Sequence, residues 1–146
     1  MAMRLTRHSD YALRVLIYLG VTERELVTIG EIAGRYDVSR NHLMKVVNRL
    51  ASHGYVETVR GKRGGIRLAR PPEQMCVGHV VRCTEEDFQM AECFDHAQGS
   101  CRISEHCTLR PVLDEALKAF MAVLDRYTVA DLLRNRCELA SVLELA

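Results

Sequence analysis

Residues 28–70 constrain the fold most, because their pattern indicates two short helices and a hairpin with no spacer between them. Thr28 and Ser39 are residue types that cap helix N-termini, and Glu31 completes a capping box by reaching back toward Thr28. Residues 37–38 form the turn between the two helices. A short helix, a tight turn and a second helix are typical of a helix-turn-helix motif.

The second of these helices has two contrasting faces. Its predicted buried stripe consists of Leu43, Val46, Val47 and Leu50. Its outer face is polar and basic, with Arg40, Asn41, Lys45, Asn48, Arg49 and Ser52. In helix-turn-helix proteins the second helix enters the major groove, where Arg can bind guanine and Asn can bind adenine.

A basic, glycine-rich hairpin follows directly. Residues 55–60 and 66–70 alternate as strands do, and residues 61–65 form the turn between them. Glycines allow close approach to phosphates, and the segment of residues 39–70 holds eight Lys or Arg residues and one acidic residue. The pattern predicts a winged helix that binds double-stranded DNA. The predicted contact residues are Thr28, Ser39, Arg40, Asn41, His42, Lys45, Arg49, Arg60, Lys62, Arg63, Gly64, Gly65 and Arg67.

The charge distribution supports this prediction. The net charge is +1, yet residues 1–72 carry 13 Lys or Arg against 6 Asp or Glu, whereas residues 73–146 carry 7 against 13. A basic half indicates a polyanionic partner. The sequence shows neither a secretory signal pattern nor an apolar run long enough to span a membrane, so we expect a cytoplasmic protein with no membrane partner.

Three cysteines lie close together in one polar segment, as Cys93-x7-Cys101-x5-Cys107. The spacing lacks the paired CxxC knuckles of structural zinc sites, and three thiolates on a flexible loop favour an iron–sulfur cluster. Structural zinc and unligated thiols remain alternatives. Cys76 and Cys83 are interpreted differently, as small apolar residues buried on a short helix.

A long amphipathic helix follows the cysteines, with apolar residues at helical spacing from Leu109 to Leu124. Its stripe could pack on its own domain or form the seam of a homodimer that reads two palindromic half-sites. Thr128 to Asp131 begin a last short helix. The sequence has no CxxC, no nucleotide-binding loop and no nucleophile–base pairing, which argues against an enzyme.

The predicted fold is therefore mainly α with a small β-hairpin. A winged helix-turn-helix domain occupies residues 1–72, and the cysteine loop and dimerisation helix occupy residues 73–146.

Several segments resemble the winged-helix iron–sulfur regulators, the family that contains IscR, and in particular its nitric-oxide-responsive branch. The resemblance runs from Met3 to about Leu133. Its most specific segments are the cysteine triad and three sequence runs: Asp10-Tyr11-Ala12-Leu13-Arg14, Ser39-Arg40-Asn41-His42 and Arg60-Gly61-Lys62-Arg63-Gly64-Gly65.

The resemblance implies a homodimeric repressor with nitric oxide as its signal; an iron or redox signal is the alternative. It implies a cluster, 4Fe–4S or else 2Fe–2S, held by Cys93, Cys101 and Cys107. A fourth ligand would come from Asp10 of the other subunit, with His96 or His106 as substitutes. IscR-like relatives use a His three residues after the last cysteine, where this chain has Arg110.

Overall fold

The structure, a computed structural model, describes residues 3–95, 97 and 100–145. Within these residues the helices are α1 (Arg7–Val21), α2 (Ile29–Tyr36), α3 (Arg40–Ser52), α4 (Val77–Thr84), α5 (Leu109–Asp125) and α6 (Arg136–Val142). The strands are β1 (Val56–Val59) and β2 (Gly65–Leu68), which pair antiparallel. Short 3-10 turns lie at Pro72–Gln74, Glu92–Phe94 and Ala130–Leu133. The predicted fold class is confirmed.

Side-chain caps begin the first three helices. The hydroxyls of Thr6, Thr28 and Ser39 accept from backbone N–H groups of α1, α2 and α3. Helix α1 therefore begins at Arg7, directly after its cap Thr6. The role of Glu31 differs from the one predicted in the capping box. Its carboxylate accepts hydrogen bonds from Tyr18 of α1 and from Arg24 in the segment between α1 and α2, and so connects α2 to both.

The hairpin of β1 and β2, called the wing below, is hydrogen-bonded to the segment before α2. Val56 pairs with Leu68 and Val59 with Gly65, and Val27 forms a bridge to Ile66 through hydrogen bonds of 3.1 and 2.7 Å. A Cβ on Gly65 would lie 2.7 Å from the Val27 oxygen, closer than such atoms pack. Glycine is therefore required where the wing meets this segment.

One hydrophobic core draws on both halves of the sequence. The predicted stripe of α3 is buried, as are Leu16 and Tyr18 of α1. Met75, Val129 and Leu143 belong to the same cluster although they lie beyond residue 72. The boundary at residue 72 stays a prediction, and the packing shows that the residues on its two sides share a core.

Helix α5 has one packed and one exposed apolar side. Met121 is buried, whereas Leu109, Val112, Phe120 and Val123 are 57, 58, 44 and 44% exposed. The C-terminal helix α6, which the sequence reading did not predict, covers the core with Leu143 just past its end. No helix among the described residues is long and apolar enough to cross a membrane.

Candidate DNA-binding face and cysteine loop

The N-termini of α2 and α3 lie side by side on the outer surface. Thr28, Arg40, Asn41 and Lys45 are all exposed there. Arg40 Nε lies 3.9 Å from the position that a Cβ would take on Gly30, which places its guanidinium beside the start of α2. The fold thus brings the guanidinium of Arg40 next to the first turn of α2, ten residues earlier in the chain.

His42 occupies a different environment from its neighbours on α3. Its ring is half-buried and lies 5.0 Å from the ring of Tyr11 and 6.3 Å from that of His8, measured between centroids. Burial, and next the proximity of His42, lowers the pKa of His8. The packing shown for His42 joins α3 to α1, and its predicted contact with DNA stays a prediction.

The predicted DNA-binding cations differ in what holds them. Arg49 Nε donates to the Cys83 carbonyl oxygen at 2.7 Å, which ties α3 to α4. Arg67 donates to Glu57 at 2.8 Å and to Glu25 at 3.1 Å, and it lowers the pKa of Glu57. Both guanidiniums already have structural partners.

The wing tip is more open. Arg60, Lys62 and Arg63 are exposed, and Gly64 N–H donates to the Gly61 carbonyl across the turn at 3.0 Å. A Cβ on Gly64 would overlap the Val59 carbonyl oxygen. The glycines therefore close the turn, and this turn presents the three cations together.

The cysteine loop, residues 92–110, is closed at its neck by one carboxylate. Glu92 Oε1 accepts from the Ser100 backbone at 3.2 Å and from the Ser100 hydroxyl at 2.8 Å. These bonds lower the pKa of Glu92. They hold Glu92 and Ser100, the chain neighbours of Cys93 and Cys101, together.

Tight turns connect the remaining cysteines. Ser104 N–H donates to the Cys101 carbonyl at 3.2 Å, and Cys107 lies two residues before α5 begins. Arg110, in the first turn of α5, lies over the Phe94 ring at 5.9 Å and so reaches the residue beside Cys93. All three thiols are half-buried.

The three loop thiols are not gathered for a single ion. Thiolates on one tetrahedral zinc lie roughly 3.8 Å apart. In the part of the chain that the structure describes, the ligand atoms found within 4.8 Å of one another belong instead to Cys76, His79 and Asp125. His106 is exposed on the loop, and His96 lies outside the described residues.

Asp10 lies in the first turn of α1, at the N-terminal edge of the molecule. Its carboxylate accepts two hydrogen bonds from Arg14, at 3.1 and 2.9 Å, and its side chain is 45% exposed. It borders an open cavity of about 870 Å³ that is otherwise lined by residues 4–7. The structure describes one chain, and Asp10 of that chain is bound to Arg14.

The sequence did not predict the hydrogen bonds that join this end of α1 to α4. The buried hydroxyls of Ser9 and Thr84 lie 2.7 Å apart, and the Thr6 N–H donates to Glu85 at 2.8 Å. These pairs are about eighty residues apart in the chain, and no local pattern could have indicated them. They link the helix that carries Asp10 to the C-terminal end of α4.

Cys76 and Cys83 correct an expectation. Both were predicted to be buried, and both are only half-buried. Cys83 packs at the edge of the core, and Cys76 lies with its Sγ 3.6 Å from the Asp125 carbonyl oxygen. The helix α4 begins after Cys76, so this thiol lies at a helix end rather than inside the helix face.

Comparison with known proteins agrees with this architecture. Residues 5–135 match the family model Rrf2, described as an iron-dependent transcriptional regulator. The chain belongs to the Rrf2 family. It is 51% identical to the HTH-type transcriptional regulator NsrR of Bacillus subtilis strain 168, with 98% of this chain and 99% of that protein covered.

Two further proteins extend the comparison. NsrR of Geobacillus kaustophilus is 48% identical, with 97% of each chain covered. The solved structure of T. potens IscR superposes with a TM-score of 0.72 at 25% identity, covering 92% of this chain and 89% of that one. The predicted resemblance is confirmed, and this Rrf2-family chain is a transcriptional regulator of the helix-turn-helix type and not an enzyme.

Proposed function

We propose that this chain represses transcription as a homodimer and senses nitric oxide through an iron–sulfur cluster, 4Fe–4S in the first instance. Cys93, Cys101 and Cys107 would hold the cluster. The observation that carries the proposal is the set of three half-buried thiols on one loop, in a chain 51% identical to a regulator named NsrR.

The donor set fits such a group. Thiolates are the ligands that hold iron–sulfur clusters, and half-burial limits solvent access while leaving the sulfur atoms reachable. The bonds from Ser100 to Glu92 hold two of the cysteines on one closed loop. When bound, the cluster would supply iron that nitric oxide can attack.

The fourth ligand would be Asp10 of a second copy of the chain. A carboxylate oxygen is a hard partner among soft thiolates and so a weakly held one. In the single chain Arg14 binds this carboxylate through two hydrogen bonds, so Asp10 has a second partner available. Asp10 would then exchange between Arg14 of its own helix and the loop of the other subunit.

Such an exchange would reach the DNA-binding face through α1. Helix α1 packs directly against α3, and the rings of Tyr11 and His42 lie 5.0 Å apart between the two helices. The exchange can change DNA affinity only as far as Asp10 binds its two partners with different free energies in the two dimer geometries. Loss of the contact between Asp10 and the cysteine loop of the other subunit would alter the distance between the two copies of α3.

The exposed apolar side of α5 supports the dimer. Leu109, Val112, Phe120 and Val123 form an exposed stripe beside the packed side of the helix. An apolar face of this kind is typical of an isologous interface. A dimer would present two copies of α3 to two half-sites of a palindromic operator.

The test is anaerobic purification with iron and acid-labile sulfide counted, followed by nitric oxide titration. We expect about four iron and four sulfide per chain, or about two of each for a 2Fe–2S cluster. The visible spectrum should change over the same range of nitric oxide in which DNA affinity falls. Zinc in place of iron would indicate a structural zinc site, and a metal-free protein would indicate a thiol switch.

Four variants make the test specific. Cys101→Ala should lose the iron and the nitric oxide response, whereas Cys137→Ala, which removes an exposed thiol of the tail, should keep both. Full DNA affinity and full response in Cys101→Ala would refute the proposal. Asp10→Ala and His106→Ala compare the two described candidates for the fourth ligand by the rate at which each variant loses iron.

A further inference from the structure

A second group of metal-binding side chains lies away from the cysteine loop, where the start of α4 meets the end of α5. One ligand atom each from Cys76, His79 and Asp125 lies within 4.8 Å of the other two. Cys76 is half-buried, and His79 and Asp125 are exposed. A thiol, an imidazole and a carboxylate thus converge at one point that solvent can reach.

The backbone fixes this convergence. Cys76 is the N-cap of α4, and His79 follows three residues later on the first turn. The Val77 N–H donates to the Tyr127 carbonyl at 2.9 Å, and the Val129 N–H donates to the Met75 carbonyl at 2.8 Å. These bonds hold the segment around Cys76 against the segment that follows Asp125. Backbone hydrogen bonds, and not side-chain conformation alone, therefore set the positions of the ligand residues.

Arg82 sets the orientation of the carboxylate. Its guanidinium donates to Asp125 Oδ1 at 2.5 Å and to Oδ2 at 2.8 Å, and the Cys76 Sγ lies 3.9 Å from the same Oδ1. A carboxylate oxygen has two lone pairs, so Oδ1 can accept from Arg82 and still face the sulfur. Outer-shell partners of this kind hold carboxylate ligands in many metal sites.

We propose that Cys76, His79 and Asp125 form a binding site for a zinc-class divalent cation. Sulfur, imidazole nitrogen and carboxylate oxygen together are the ligands that Zn²⁺ uses, whereas Mg²⁺ and Ca²⁺ favour oxygen alone. Three protein ligands leave the fourth tetrahedral position to water. Binding deprotonates the Cys76 thiol and releases its proton to solvent, so affinity weakens as the pH falls.

The bound ion would brace the junction between α4 and α5. Cys76 and His79 belong to the start of α4, and Asp125 is the last residue of α5. The site is separate from the proposed cluster site, because it uses none of the loop thiols. Metal binding at this site can therefore be tested independently of the proposed function.

The experiment is anaerobic titration of the full chain with Co²⁺, which reports thiolate ligation through its absorption spectrum. Cys76→Ser and His79→Ala are compared with Cys137→Ser, a control that changes an exposed tail thiol outside the site. We expect each ligand variant to bind about one Co²⁺ fewer per chain than the wild-type protein, and the control to bind the same number. In the wild-type protein, added Zn²⁺ should displace the one Co²⁺ ion that the variants do not bind.

The subtraction separates this site from the loop thiols, which all these variants retain. His79 is exposed, so His79→Ala tests the site without disturbing the core. Equal Co²⁺ binding by the wild-type protein, Cys76→Ser and His79→Ala would overturn the inference, as would a wild-type chain that binds no Co²⁺ with thiolate character.

Discussion

The wing tip offers the sharpest test of how this regulator binds DNA. Lys62 and Arg63 are exposed on a turn that glycines close, whereas Arg67 of the same hairpin is paired with Glu57 and Glu25. We therefore expect the double variant Lys62→Ala/Arg63→Ala to lose phosphate contacts without losing stability. The proposed dimer carries two wings, so four contacts should disappear.

The magnitude follows from counterion release. Each phosphate contact contributes about 0.9 to the slope of log K against log salt, so the double variant should reduce the slope by up to about 3.6. The assay is fluorescence anisotropy over a salt series, with a labelled duplex selected from a random-sequence pool. The melting temperature should stay the same, because neither side chain is buried.

The control removes the same charge elsewhere. Lys118 and Arg134 are 77 and 76% exposed on the C-terminal half, where each pairs with a nearby Asp. Lys118→Ala/Arg134→Ala should leave the salt slope unchanged. An unchanged slope in the wing variant, or an equal fall in both variants, would refute the assignment of the wing tip to the phosphate backbone.

Three further predictions follow from the packing. Gly65→Ala should lower the free energy of unfolding by about 1–3 kcal/mol in urea denaturation, because its Cβ would press on Val27. Gly34→Ala, where the added Cβ meets no atom within 4 Å, should raise it by about 0.4–1 kcal/mol; a loss of stability in both variants would contradict the packing argument. Burial raises the pKa of Tyr36 to about 12. Burial of the neutral Tyr36 phenol therefore stabilises the folded state fully below pH 10, the usual tyrosine value. This stabilisation is lost as the pH rises toward 12. Tyr36→Phe should remove this part of the alkaline unfolding transition, and a wild-type absorbance titration with all tyrosines ionising near pH 10 would argue against it. Phe120→Glu should convert the proposed dimer to monomer in light scattering, and Lys118→Glu should not; a dimer that survives Phe120→Glu would exclude this stripe as the interface.

Local patterns predicted much of the fold. Ser39 caps α3 as its side-chain chemistry indicates, and the stripe of α3 is buried as its spacing indicates. The hairpin was predicted from alternation and glycines within the sixteen residues 55–70. Helix α6 was not predicted, because it is short and its buried neighbour, Leu143, packs on a core built mostly from the other end of the chain.

The site residues were predicted as types and not as partners. The spacing of Cys93, Cys101 and Cys107 predicted a metal-binding loop, which stays a prediction, and the bonds from Ser100 to Glu92 within it depend on side-chain geometry. Arg49 and Arg67 looked alike in sequence to the cations of the wing tip. Only the structure shows that their guanidiniums bind Cys83, Glu57 and Glu25.

The sequence by itself determined the winged helix, the basic face and the triad of thiols, because capping, periodicity and charge act between residues close in the chain. Tertiary structure alone decided which groups meet across it: Ser9 with Thr84, Arg49 with Cys83, and Cys76 with His79 and Asp125. Such meetings depend on how packed helices place distant residues. A helix presents many polar side chains to its surroundings, and the packing of the core selects the few that find a partner.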